Sequence, residues 1–330
     1  MVSATNLEYW LHWQALFCEF VVLLTVAAAA LVVFKYRRVW KWWGEAGVEE
    51  TNVYDEDLWR PCFNTIKPAG FLAFRAIAFF LMVGILSSDA ILSGVFIFYF
   101  YTQWTFTLVI IYFGLATLIS AKGCRQLAKN DSIRNQDVRA NFLKTDLEQE
   151  AHVTESPGKN LDGDSVKLQS HQEREEQKKR AGFWGYAMQI IFQTCAGAVM
   201  MTDIVFWFII VPFLTNEHFR LNPLMGSMHS VNALFLVIDA ALNSMSFPWF
   251  RGAYFVLWTA LYVVFQWILH ACGLTWWPYP FLELSTPWAP LWYFGLAIVC
   301  LVCYTIFTFL IKAKEKNFPK WFPYAYQRLH

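Results

Sequence analysis

ALFCEFVVLLTVAAAALVVF, residues 15–34, is an apolar run broken by one charge, Glu19. A helix needs roughly 20 such residues to cross about 30 Å of hydrocarbon. The run does not alternate polar with apolar residues, as a strand of a membrane barrel must. Lipid offers the backbone no hydrogen-bond partner, so such a segment is a helix that satisfies its own N–H and C=O groups. Six further stretches read the same way: 68–92, 99–120, 186–214, 225–245, 251–271 and 288–311. The expected fold class is all-α, a polytopic transmembrane helical bundle of about seven spans.

Composition agrees. Hydrophobic residues make up 57% and charged residues 15%, where soluble domains carry about 25% charged. The net charge is +1 and the basic residues sit in loops rather than on one face, so nucleic acid is not an expected partner. The N-terminus lacks a basic n-region and a small-residue cleavage site, and the first apolar run reads as a retained span. Cys300 and Cys303 fall within the last apolar stretch and read as helix packing.

The chain divides into a first span with a polar linker (1–67), two spans (68–120), a polar loop (121–185), four spans (186–311) and a tail (312–330). Of the 26 Lys and Arg residues, those of 35–67, those of 121–185, Arg251 and those of the tail fall on one side. The other side holds Arg220, and Arg75 lies in a span. Basic residues favour the cytosol. The expected topology places the N-terminus outside and the C-terminus in the cytosol, in the endoplasmic reticulum or plasma membrane. The loop 121–185, densest at EREEQKKR (173–180), reads as a disordered segment or solvated helix and is the place for a cytosolic protein partner. Asn130-Asp131-Ser132 is an unused glycosylation pattern on that side. Trp40, Trp42 and Trp43, and Trp276, Trp277 and Trp288, mark helix ends at the headgroup level.

Ionisable groups inside spans are costly and mark function. They are Glu19, Arg75, Asp89, Asp203, His229, Asp239 and His270. In the fifth stretch His229, Asn232, Asp239 and Asn243 share one face at about 3.6 residues per turn. Such a stripe faces a bundle interior or a watery cavity, and interhelical hydrogen bonding explains it as well as chemistry does. His229 and His270 lie near the outer ends of their helices. Thr102, Thr105 and Thr107 lie at that depth on the third. A threonine hydroxyl and a histidine from two helices are what a nucleophile and its base require.

On these residues the chain resembles the androgen-induced-gene and androgen-dependent-protein family of multipass membrane proteins, and the related rolling-stone group. The resemblance covers roughly residues 70–311. It is carried by Met228-His229-Ser230 with Asp239, by Trp267-Ile268-Leu269-His270, and by Tyr279-Pro280-Phe281-Leu282-Glu283. The segment at Thr102 and Tyr112-Phe113-Gly114 add to it. The family core has six spans, so this chain carries one more at its N-terminus and a longer loop. The resemblance implies hydrolysis of fatty acid esters of hydroxy fatty acids, with His229 as base and Thr102 as nucleophile, or Thr105 or Thr107 under a shifted register. The residues around Thr102 differ from the enzyme motif, and the match is closer on the rolling-stone side.

Three functions follow. The first is an intramembrane threonine hydrolase of long-chain lipid esters, with Asn232, Asp239 and His270 as supporting polar positions. No G-x-S-x-G or H-E-x-x-H motif is present, so neither a serine elbow nor a cofactor or metal is expected. The second is a structural or signalling protein acting through the 121–185 loop. The third is a transporter using Asp203, Asp239 and Arg75, although no inverted repeat is visible.

Overall fold

Each apolar stretch becomes a helix, and the helices gather by burying their small and polar faces. The computed structural model describes residues 4, 6–42, 53–151, 180–214 and 223–327. Its long helices are α1 (Trp13–Trp42), α2 (Pro68–Ser93), α3 (Tyr101–Ala151), α4 (Phe183–Val205), α5 (Pro223–Leu242), α6 (Gly252–Ala271) and α7 (Ala289–Trp321). Among the described residues seven helices are long and apolar enough to cross a membrane, and the chain is a multipass membrane protein. Leu23, Phe34, Phe80, Leu301 and Phe309 lie exposed on their outer faces, as lipid-facing side chains do. Among the described residues strand pairing is limited to the isolated bridges Tyr54 to Arg180 and Phe63 to Tyr326.

Three helices run past their expected ends, the first of them from residue 34 to Trp42. The third stretch continues beyond residue 120 to Ala151, and the seventh beyond 311 to Trp321. Residues 121–151 are rich in Lys, Gln, Leu and Ala, good helix formers that need no lipid. The first part of the 121–185 loop is thus a helix, while 152–179 lies outside the described residues, as do Trp43, Arg220 and the side chains of Trp40 and Trp42.

Helix α4 is the centre. One apolar cluster joins Met188, Phe192 and Cys195 of α4 to Phe106 and Phe113 of α3, Met82 of α2 and Leu236 of α5. A second joins Ala198 and Met201 to Cys18 of α1, Phe255 of α6 and Tyr304 of α7. Helix α1 packs against α6 and α7. Gly197 lets α4 approach α6, since a Cβ there would lie 2.4 Å from the Phe255 ring.

The linker before α2 is part of the bundle. Its short helix Asp55–Trp59 buries Leu58 completely. Beyond it, the Cys62 N–H donates to Leu242 O at 2.7 Å, and the Cys62 thiol donates to Ala241 O at 3.3 Å. The Lys314 ammonium, from α7, donates to Ala240 O at 2.7 Å and Asn243 O at 2.5 Å. These are carbonyls a helix C-terminus leaves unpaired, and a cation is favoured there. Helix α5, which carries His229, is therefore pinned at its far end.

Candidate functional site

The site is built where the start of α3, the end of α4 and the start of α5 meet. Helix α2 ends at Gly94, whose φ of 76° suits a residue without a Cβ. A 3-10 turn, Val95–Tyr99, then leads into α3. The Tyr99 carbonyl accepts from Tyr262 Oη and Gln266 Nε2, both at 2.7 Å. Tyr101 Oη pairs with Thr259 Oγ1 at 2.9 Å. Side chains of α6 thus hold the first turn of α3, and Thr102 is its second residue.

Thr102 Oγ1 lies 3.4 Å from His229 Nε2. His229 Nδ1 lies 3.2 Å from Asp203 Oδ1. The imidazole is 4% exposed and stacks on the Phe206 ring at 3.8 Å and 7°. In the tautomer whose Nδ1–H donates to Asp203, the ring presents the Nε2 lone pair to the Thr102 hydroxyl. The Thr–His separation is at the long end for a hydrogen bond, as catalytic pairs without substrate often are. The Thr105 and Thr107 hydroxyls are buried, and of the three threonines Thr102 is the one paired with His229.

Phe206, three residues beyond Asp203, opens a local irregularity. Residues Phe206–Ile210 form a π turn closed by Val211 N–H to Phe206 O. Pro212, just beyond, has no N–H and crowds the carbonyl four residues earlier, so a regular turn is disfavoured. Such bulges recur at functional sites.

The supporting positions separate. Asn232 is 1% exposed and stands beside Asp203. Its Oδ1 accepts from Ala233 N–H at 2.7 Å, and its amide is turned toward Asp203. Asp239 is away from this site, about 15 Å further along α5. It is fully buried against Arg75, with Nε to Oδ1 at 2.8 Å, and accepts from Tyr112 Oη at 2.5 Å and Asn243 Nδ2 at 3.0 Å. Arg75 also donates to Leu58 O at 2.6 Å and Ser120 Oγ at 2.8 Å. His270 is committed to structure: Nδ1 faces Gln266 O at 2.7 Å, Nε2 faces Trp276 O at 3.1 Å, and Trp277 stacks on the ring at 3.5 Å.

Two cavities flank the Thr102–His229 pair. One, of about 300 Å³, is lined by Asp89, Gln103, Met225, Met228 and Pro278. The other, of about 60 Å³, is lined by Tyr101, Met201, Thr259, Val263 and Leu296. Thr102, His229 and Tyr279 line both. Burial raises the Tyr279 hydroxyl above the ordinary 10.0, partly offset by the Thr102 hydroxyl and the N–H groups of Tyr101 and Thr102 that it faces. Among the described residues no three His, Cys, Asp or Glu side chains converge as metal ligands.

Sequence reading missed Asp203 and Tyr279 as members of the site. Asp203 was visible as a charge in a span, and Tyr279 as part of an aromatic block, but neither spacing says what it touches. No family model, no curated protein and no solved structure matches the chain.

Proposed function

We propose that this multipass membrane protein is a threonine hydrolase of long-chain lipid esters, akin to the androgen-induced-gene and rolling-stone proteins it resembles. The observation that carries the reading is the relay Thr102–His229–Asp203 opening on two cavities inside a lipid-facing bundle. In the reaction, Thr102 Oγ bonds to the ester carbonyl carbon as its proton passes to His229 Nε2. Asp203 holds the ring and stabilises the imidazolium that forms. Tyr279 Oη and the N–H groups of Tyr101 and Thr102, which it faces at rest, donate to the developing oxyanion. Collapse expels the alkoxide, which takes the proton from His229. Water, activated by the same histidine, then hydrolyses the acyl-threonine and restores the enzyme.

The basic-residue distribution supports an orientation with this site at the lumenal or extracellular end. The buried, fully bonded Arg75–Asp239 network gives no support to a permeation path through those groups.

The test is fluorophosphonate labelling of the full-length protein in detergent. Wild type is expected to be labelled, and folded Thr102→Ala and His229→Ala are expected to lose the label. A folded wild type that stays unlabelled rejects the hydrolase reading and favours a structural protein acting through the 121–185 segment.

A further inference from the structure

The larger cavity carries chemistry that the relay does not use. Asp89, near the end of α2, accepts from Gln103 Nε2 at 3.1 Å and from Ser93 Oγ at 3.2 Å. Gln103 is 9% exposed, and among the described residues its Oε1 has no hydrogen-bond partner. Gln103 directly follows the candidate nucleophile in sequence. Two acceptors, one of them charged, therefore sit side by side in the wall of the cavity. Among the described residues no Lys or Arg lines either cavity.

A ligand here must bring hydrogen-bond donors, because a buried acceptor left unpaired costs free energy. It must also tolerate the Asp89 charge, and a carboxylate at short range is repelled by it. The remaining walls, Ile97, Phe100, Phe206, Met225 and Met228, are apolar and suit an alkyl chain. Resting on the hydrolase reading, we propose that the alcohol arm of the substrate is uncharged and hydroxyl-bearing, as in a monoacylglycerol, with its hydroxyls on Asp89 and Gln103. The same cavity discriminates against an ester whose alcohol arm ends in a free carboxylate.

Three oleoyl esters distinguish the outcomes: monooleoylglycerol, methyl oleate, and an oleoyloxy-alkanoate bearing a carboxylate. Each is presented in mixed micelles to the full-length protein. Sites built to bond a hydroxyl reject analogues lacking it strongly, so kcat/KM is expected to favour the glycerol ester by at least about tenfold over both others. Asp89→Asn and Gln103→Leu are expected to erase that preference, and Asp89→Lys to shift it toward the carboxylate ester. A protein that takes the fluorophosphonate label yet cleaves the three esters equally, or prefers the carboxylate, overturns the substrate inference and leaves the hydrolase reading intact. Preference unchanged in the folded variants overturns it too. A folded protein that neither labels nor cleaves any ester overturns both.

Discussion

His229 Nδ1 and Asp203 Oδ1 stand 3.2 Å apart, joining the start of α5 to the end of α4. The contact fixes which ring nitrogen faces Thr102. Asp203→Asn keeps the shape but can donate to Nδ1, which favours the opposite tautomer and puts a proton on Nε2. The expected result is a fall in ester hydrolysis of about 10²–10⁴-fold, with slower fluorophosphonate labelling and an unchanged melting temperature. Asp203→Glu should recover part of the rate. Equal rates in wild type and Asp203→Asn would remove Asp203 from the relay.

Cys272 tests the orientation. It is exposed, directly beyond α6, at the end of the bundle that carries Thr102 and His229. Cys62, at the other end, is buried, and its burial pushes the thiol above its ordinary value. The thiolate is the reactive form, so Cys62 should stay silent near neutral pH. A membrane-impermeant maleimide is expected to label Cys272 from the extracellular side of intact cells, or from the lumenal side of sealed vesicles, and Cys272→Ser to abolish the signal. Labelling that appears only after permeabilising plasma-membrane protein, or only on the cytosolic face of vesicles, reverses the topology.

The seven helices were legible because a bilayer imposes one rule on every span, and twenty apolar residues satisfy it locally. The burial of His229, Asn232, Asp239 and Asn243 was legible for a related reason: polar groups on one face of an apolar helix turn inward. What those residues meet was not legible. His229 and Asp239 share a face, yet one meets Asp203 and Thr102 while the other meets Arg75 and Tyr112. Periodicity gives direction around a helix, and partner choice depends on which neighbour is at each depth. The linker before α2 was also opaque, since Leu58 and Cys62 stand among charged residues, yet Leu58 is buried in the apolar cluster around α4 and Cys62 covers C-terminal carbonyls of α5.

The Arg75–Asp239 pair should behave as a structural knot. Both side chains are fully buried, so removing one partner strands the other's charge. Asp239→Leu and Arg75→Met are each expected to cost about 3–5 kcal/mol, read as a lower melting temperature in detergent. The double variant should lose less than the sum of the singles, because no lone charge remains. A fold that tolerates Asp239→Leu while a proton-coupled flux disappears would instead assign this pair to transport.

Close helix approach makes a prediction independent of any activity. A Cβ at Gly197 would meet the Phe255 ring at 2.4 Å, and both residues sit where α4 crosses α6. Gly197→Ala should destabilise by about 1–3 kcal/mol through overpacking, and Gly197→Ala with Phe255→Leu should regain part of the loss. Thermal unfolding of the two variants decides it. Unchanged stability in Gly197→Ala would mean that α4 and α6 are less closely apposed than the bundle requires.

Tyr279 separates binding from catalysis. Its ring contacts Phe100, Tyr262 and Phe281, and Phe at this position preserves those contacts while deleting the hydroxyl that faces Thr102. If that hydroxyl donates to the oxyanion, Tyr279→Phe lowers kcat by about 10²–10³-fold with KM nearly constant, since the interaction forms only as charge develops. The pH profile carries a second signature. Ionisation creates the phenolate, burial disfavours that charged form, and the proton is therefore held above the ordinary 10.0. Tyr279 stays a donor throughout the range below that value, and wild-type kcat should show no alkaline loss from this group there. A variant that keeps its melting temperature and its kcat would leave the amides at the start of α3 as the remaining oxyanion donors.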